Sequence, residues 1–117
     1  MRYVDGFVLT VPKKNLAAYR RMAAKAGKIW REHGALEYME AAGDDLAVKF
    51  GLPFPKMAKP KKGETVVFSY IVYKSKADRN KVNAKVMKDP RLHMDEKAMP
   101  FDPKRMAYGG FKAIVDL

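Results

Sequence analysis

The segment ETVVFSYIVY, residues 64–73, is rich in β-branched and aromatic side chains and holds neither glycine nor proline. That composition belongs to a β-strand. Alternation places Val66, Phe68, Tyr70 and Val72 on one face and Val67, Ile71 and Tyr73 on the other. Both faces are apolar, as expected of a strand covered on both sides.

Working outward, Ser75 follows as a helix cap with Asp78 three positions later, a variant of the capping box. The helix it opens runs to about Lys88 and ends before Pro90. The connection MPFDPK leads to a last strand over Arg105–Val115, where Gly109-Gly110 signals a bulge or a close backbone approach. Upstream, Tyr3–Val11 alternates as a strand. Tyr3, Phe7, Leu9 and Val11 share a face with Asp5 among them, Val4, Val8 and Thr10 take the other with Gly6, and Pro12 ends the run. From Lys13 to His33 the period becomes helical. Leu16, Tyr19, Met22, Ala23, Ala26, Ile29, Trp30 and His33 share one side, and Gly34 supplies a left-handed cap. ALEYMEAA, residues 35–42, reads as a strand whose Glu37 and Glu40 mark exposure. The stretch 43–63, rich in lysine and proline, reads as a long irregular arm. Its Phe50, Leu52, Phe54 and Met57 favour contact with something over full solvation.

The order βαββαβ predicts an α+β, ferredoxin-like antiparallel sheet with two helices on one face. The first and third strands are apolar on both sides, so the face away from the helices needs a cover. A second copy packed sheet to sheet, giving a dimeric α/β-barrel, is the economical solution. The alternative is that the Phe-rich arm covers that face within one chain.

The 117 residues suit a single domain spanning 1–117, with the arm at about 43–63, and 48% of them are hydrophobic. The absence of cysteine excludes disulfides, thiolate catalysis and cysteine metal sites, and fits a cytoplasmic protein. No signal peptide or membrane span is read. The net charge of +11 exceeds the roughly 2–8 charges that solubility asks of a small domain, which raises the question of an anionic partner. An RNA-recognition motif shares the βαββαβ order, but Glu64, Thr65, Val66 and Ser69 stand where its stacking platform requires aromatics or glycine. What remains is nonspecific phosphate attraction to Arg20, Arg21, Lys25, Lys28, Arg31 and the arm.

The segments YVDGFVLTVP, AYRRMAAKAGKIWREHGALEY, ETVVFSYIVYKS, NAKVMKDPR and PFDPKRMAYGGFK resemble the YbaA-like bacterial family of unknown function. The resemblance covers nearly the whole chain and is weakest over DDLAVKFGLPFPKMAKPKK. It implies a cytoplasmic homodimer of ferredoxin-like subunits in the dimeric α/β-barrel superfamily, and it implies no catalytic residues.

Enzyme motifs are sparse. There is no nucleophile elbow, P-loop or Gly-rich dinucleotide turn. His33 and His93 are the only histidines, neither at a metal-helix spacing; the run HMDE, 93–96, reads as a solvated loop rather than a cation site. No metal or cofactor is expected. Haem relatives in the superfamily carry an axial histidine on the second helix, and Ser75–Lys88 has none. The remaining idea is a pocket between sheet and helices for a small anionic or aromatic molecule. Tyr19, Trp30 and His33 would come from the first helix and Arg79 and Asn83 from the second. His33 is the candidate general base, histidine being the side chain that titrates near neutrality. The competing reading makes Trp30 plain core and His33 a partner of its own helix end. Fold analogy adds a cofactor-free oxygenase-like or isomerase-like enzyme as an alternative.

Overall fold

The computed structural model describes residues 1–92 and 95–117. Its elements are β1 (Tyr3–Pro12), α1 (Leu16–Glu32), β2 (Glu37–Ala42), α2 (Phe54–Ala58), β3 (Glu64–Tyr73), α3 (Lys76–Met87) and β4 (Ala107–Lys112). They form one antiparallel sheet in the order β2-β3-β1-β4. The two long strands lie at the centre and pair along their whole length, from Tyr3 opposite Tyr73 to Pro12 opposite Glu64. Strands apolar on both faces belong there, and the shorter, more polar β2 and β4 take the edges.

This register settles which way each side chain points. Leu9 and Val11 of β1 and Val67 of β3 bury against Tyr19 and Ala23 of α1. Ile71 and Tyr73 bury against Ile29 of α1 and Val82 and Val86 of α3. Phe7 touches both groups and joins them into one core. Burial of each such aliphatic side chain stabilises the fold by about 1.5–3 kcal/mol.

Local chemistry bounds the elements. Ser75 Oγ accepts the backbone N–H of Asp78 at 3.0 Å and caps α3, as its sequence suggests. Gly34 closes α1 at φ 121°. The first helix starts three residues later than its period implies. Lys13–Asn15 is a 3-10 turn, because the N–H of Lys13 is held by the carbonyl of Gly63 at 2.8 Å. The last strand is shorter than expected at both ends. Pro103–Arg105 forms its own turn under an Asp102 cap, and Arg105 is clamped to Glu64 at 2.9 and 3.0 Å. No bulge interrupts β4: its pairing with β1 is continuous from Ala107 to Lys112. The close approach is real. A Cβ on Gly110 would meet the Tyr3 hydroxyl and come within 2.7 Å of Arg79 Nη2.

The arm is not wholly irregular. It contains α2, which packs against β1 and β3 on the sheet face away from α1 and α3. Phe54 meets Phe68 edge-on at 6.4 Å, and Thr10 and Val66 are buried on this face. The cover is partial. Met39, Phe68 and Phe111 on the same face stay 47%, 46% and 62% exposed, and Phe50 and Leu52 reach solvent. Among the described residues, no helix is long and apolar enough to cross a membrane.

Candidate functional site

The inner sheet face and the two long helices do not close completely on each other. A cavity of about 780 Å³ remains between them, with Met99, Pro100 and Phe101 forming part of its wall. Asn15 Nδ2 holds the carbonyl of Pro100 at 3.1 Å, and Phe101 packs edge-on against Tyr19 at 5.6 Å. The lining is largely apolar and aromatic, with Phe7, Leu9, Met22, Trp30 and Tyr108 among its residues. Tyr108 stacks on Phe7, the rings 5.7 Å apart and nearly parallel.

Polar groups enter this apolar space from three strands and both long helices. The inward alternation of β1 brings Asp5, and that of β3 brings Ser69. In β2, Glu40 stands opposite Ser69 and so faces the helices. Its carboxylate accepts from Tyr19 Oη at 2.6 Å and from Tyr38 Oη at 2.8 Å. Both phenols ionise far less readily than a free tyrosine, first because they are buried and then because of Glu40. Tyr38 reaches this position because α1 carries glycine at 27; a Cβ there would lie 2.6 Å from its ring. From α3 comes Asn83, whose Oδ1 accepts Trp30 Nε1–H at 3.0 Å and Tyr73 Oη–H at 3.2 Å.

Asp5 is held less closely than Glu40. It is 6% exposed, and its ion-pair partner Arg79 stands with Nε 3.6 Å from Oδ1, beyond hydrogen-bond reach. Arg79 is turned toward Tyr3. Its Nη2 donates to the Tyr3 hydroxyl at 3.1 Å, and its guanidinium lies 4.9 Å over the Tyr3 ring. The Arg79 Nε–H is buried without a hydrogen-bond partner among the described residues. Burial, and then the negative charge of Asp5, raises the pKa of Tyr73.

Of the residues singled out by sequence, Tyr19, Trp30 and Asn83 come together around the cavity. His33 and Arg79 are not among the residues that line it. His33 sits at the end of α1, where its Nε2 meets Asp89 Oδ2 at 2.8 Å. Its partner is thus the turn after α3, not the carbonyls of its own helix. Asp89 also accepts from Arg91, at 2.9 Å from the backbone N–H and at 3.0 and 2.8 Å from the guanidinium. These bonds, Arg91's first and then His33's, hold its carboxyl well below the usual carboxylate range. His93 lies outside the described residues.

This cluster carries a pH prediction. The Asp89 pKa is lower in the folded chain than in the unfolded one, where it is about 3.9. Its stabilisation is therefore complete above that value and disappears as the pH falls through the folded pKa. Asp89→Asn is expected to lower Tm at pH 7, with the gap beginning to close only below about pH 4 and closing fully as the pH falls through the folded pKa. A Tm difference that stays constant across that range in thermal melts would show that the charge of Asp89 is not what stabilises the turn.

No motif in the sequence marks Asp5, Glu40, Tyr38 or Ser69 as site residues. Asp5 did leave a signal, a carboxylate on an otherwise apolar strand face. Glu40 gave a misleading one, because Glu37 and Glu40 both looked like markers of exposure. An odd separation along a strand puts them on opposite faces. Glu37 is exposed and Glu40 points inward.

Residues 2–103 match the profile of DUF1428, described as a protein of unknown function. The chain is 47% identical over 116 residues to the uncharacterized protein YbaA of Escherichia coli K12, covering 99% of both chains. It is equally similar to the uncharacterized YbaA of Shigella flexneri. Among solved structures it resembles Rv0793 from Mycobacterium tuberculosis, with a TM-score of 0.58 and 13% identity, over 99% of this chain and 98% of that one. That likeness concerns the α+β fold alone.

Proposed function

The chain belongs to the DUF1428 family, whose function is not established, and from its own cavity we propose that it binds a small aromatic molecule. The site lies between the sheet and the two long helices, in a ferredoxin-like subunit of a cytoplasmic homodimer. One observation carries this reading. A space of about 780 Å³, walled by aromatic and thioether side chains, receives a few convergent polar groups. Ligand pockets have that size and that mix. Of the two ligand classes the sequence suggests, the aromatic is favoured over the anionic, because Asp5 and Glu40 both line the cavity and would repel an anion.

The dimer reading rests on the opposite sheet face. Met39, Phe68 and Phe111 remain exposed there after α2 has covered what it reaches. A second copy on that face would remove them from water and close a barrel of two sheets. The lack of cysteine suits a reducing cytoplasm.

Neutral aromatic probes, indole and p-cresol, are expected to raise Tm in a concentration-dependent way. Ala26→Trp, which places an indole in the cavity from α1, is expected to abolish that rise. Native mass spectrometry of untagged protein should then show an adduct in the parent and none in the variant. Absence of any Tm response to either probe, together with a bare chain in the spectrometer, would end the binding reading. A second reading, an isomerase-like or cofactor-free oxygenase-like enzyme, draws on the same carboxylates, since a base in an apolar cavity can take a proton from a bound ligand. Turnover of the adduct by the parent, lost in Asp5→Asn, would select it.

A further inference from the structure

We infer that the cavity is built for an aromatic molecule carrying a protonated amine, with Asp5 as the group that receives the ammonium. This rests on the reading of the cavity as a binding site and goes further by assigning the charge of its ligand.

The two carboxylates that the sheet turns into the cavity differ in what they have left to give. Glu40 already accepts a short hydrogen bond on each oxygen, from Tyr19 and Tyr38. Asp5 is equally inward-facing and 6% exposed, yet its ion-pair partner gives it no hydrogen bond. The Arg79 guanidinium spends Nη2 and its flat face on Tyr3, and its Nε stays buried with no acceptor among the described residues. Arg79 therefore lends Asp5 charge at a distance, the Tyr73 hydroxyl is its one neutral neighbour, and the lone pairs that Tyr73 does not take stay open toward the cavity. A buried carboxylate short of donors is costly, and a ligand N–H that reaches it recovers that cost.

Charge sets the sign of the ligand. Asp5 and Arg79 roughly cancel, and Glu40 is held by neutral phenols, so the floor is negative overall. Of the basic residues at the cavity, Arg91 is committed to Asp89 and Glu32, and Lys25 is exposed on α1. The surrounding rings of Phe7, Trp30 and Tyr108 favour both an aromatic body and a cation laid against a π face. An acidic floor under aromatic walls is the pairing that recognises ammonium groups. An aromatic carboxylate of the same shape would meet Asp5 and Glu40 with the wrong sign.

The test uses three probes of one shape in calorimetry at pH 7: tryptamine, N-acetyltryptamine and indole-3-propionate, with indole as the uncharged reference. Tryptamine is expected to bind at least about tenfold more tightly than the acid, and about tenfold more tightly than its neutral acetyl derivative. In Asp5→Asn that preference should collapse to within about twofold while indole binding persists. Equal affinity for amine and acid, or a preference that survives Asp5→Asn, overturns the assignment. The acetyl comparison needs no variant and decides the question even if Asp5→Asn fails to fold. If indole binds and charge makes no difference, the cavity reading stands and this assignment falls. If none of the four binds, both fall.

Discussion

Replacing Tyr73 by alanine is expected to cost about 3–5 kcal/mol of folding stability, the range for deleting a buried aromatic ring. The domain's total is expected to be only about 5–15 kcal/mol. Tyr73 is fully buried at the end of a central strand, in the group formed with Ile29, Ile71, Val82 and Val86. Removing the ring takes packing from α1, α3 and the sheet together, and it opens the void onto a cavity that already exists. The surroundings therefore have little to collapse onto. Tyr73→Phe keeps the ring and loses the hydroxyl's bond to Asn83, which also accepts from Trp30, and its contact with Asp5. It is expected to cost about 1 kcal/mol. Urea unfolding at one fixed protein concentration separates the two, concentration being held because a dimer's stability depends on it. An alanine variant no less stable than the phenylalanine one would mean that the ring is not the keystone the packing makes it.

The fold was legible where the signal is local. In β1 and β3 the alternation is unbroken, both faces are apolar, and Pro12 and Ser75 punctuate the chain; their central position and the order of elements follow. Element ends were less legible because they depend on partners. The N–H of Lys13 is claimed by Gly63, fifty residues away in the chain, and the start of β4 gives way to a turn held by Glu64. Within the arm, α2 has five residues, too few for a helical period to appear. The candidate site was legible by halves for the same reason. Helix period placed Tyr19 and Trp30 on the inner side of α1, and it placed Asn83 near them. It put Arg79 and His33 there too, since a side chain's face does not reveal which partner will draw it aside. Tyr3 draws Arg79, and Asp89 draws His33. Nothing local announces that Glu40 will lie between two phenols from different elements.

Phe68→Glu is expected to convert the proposed homodimer to monomer, weakening self-association by at least about a hundredfold. Phe68 lies mid-strand on the outer face of the sheet, 46% exposed, with Phe54 and Tyr70 beside it at 6.4 and 6.2 Å. In a twofold assembly one substitution enters the interface twice. Each glutamate must then be stripped of water against an apolar surface, at a penalty of several kcal/mol per ion. The hundredfold loss corresponds to only about 2.7 kcal/mol in all. The isolated subunit should survive, because Phe68 takes no part in the core that α1 and α3 cover. Sedimentation equilibrium reads the association and circular dichroism reads the fold, with Ala17→Glu on the exposed side of α1 as the matched control. Monomeric Phe68→Glu beside dimeric Ala17→Glu, both folded, places the interface on the outer sheet face. A parent chain that is already monomeric at micromolar concentration would instead give that face to α2 and the arm. The exposed Phe68, Met39 and Phe111 would then be a surface the chain leaves open to water.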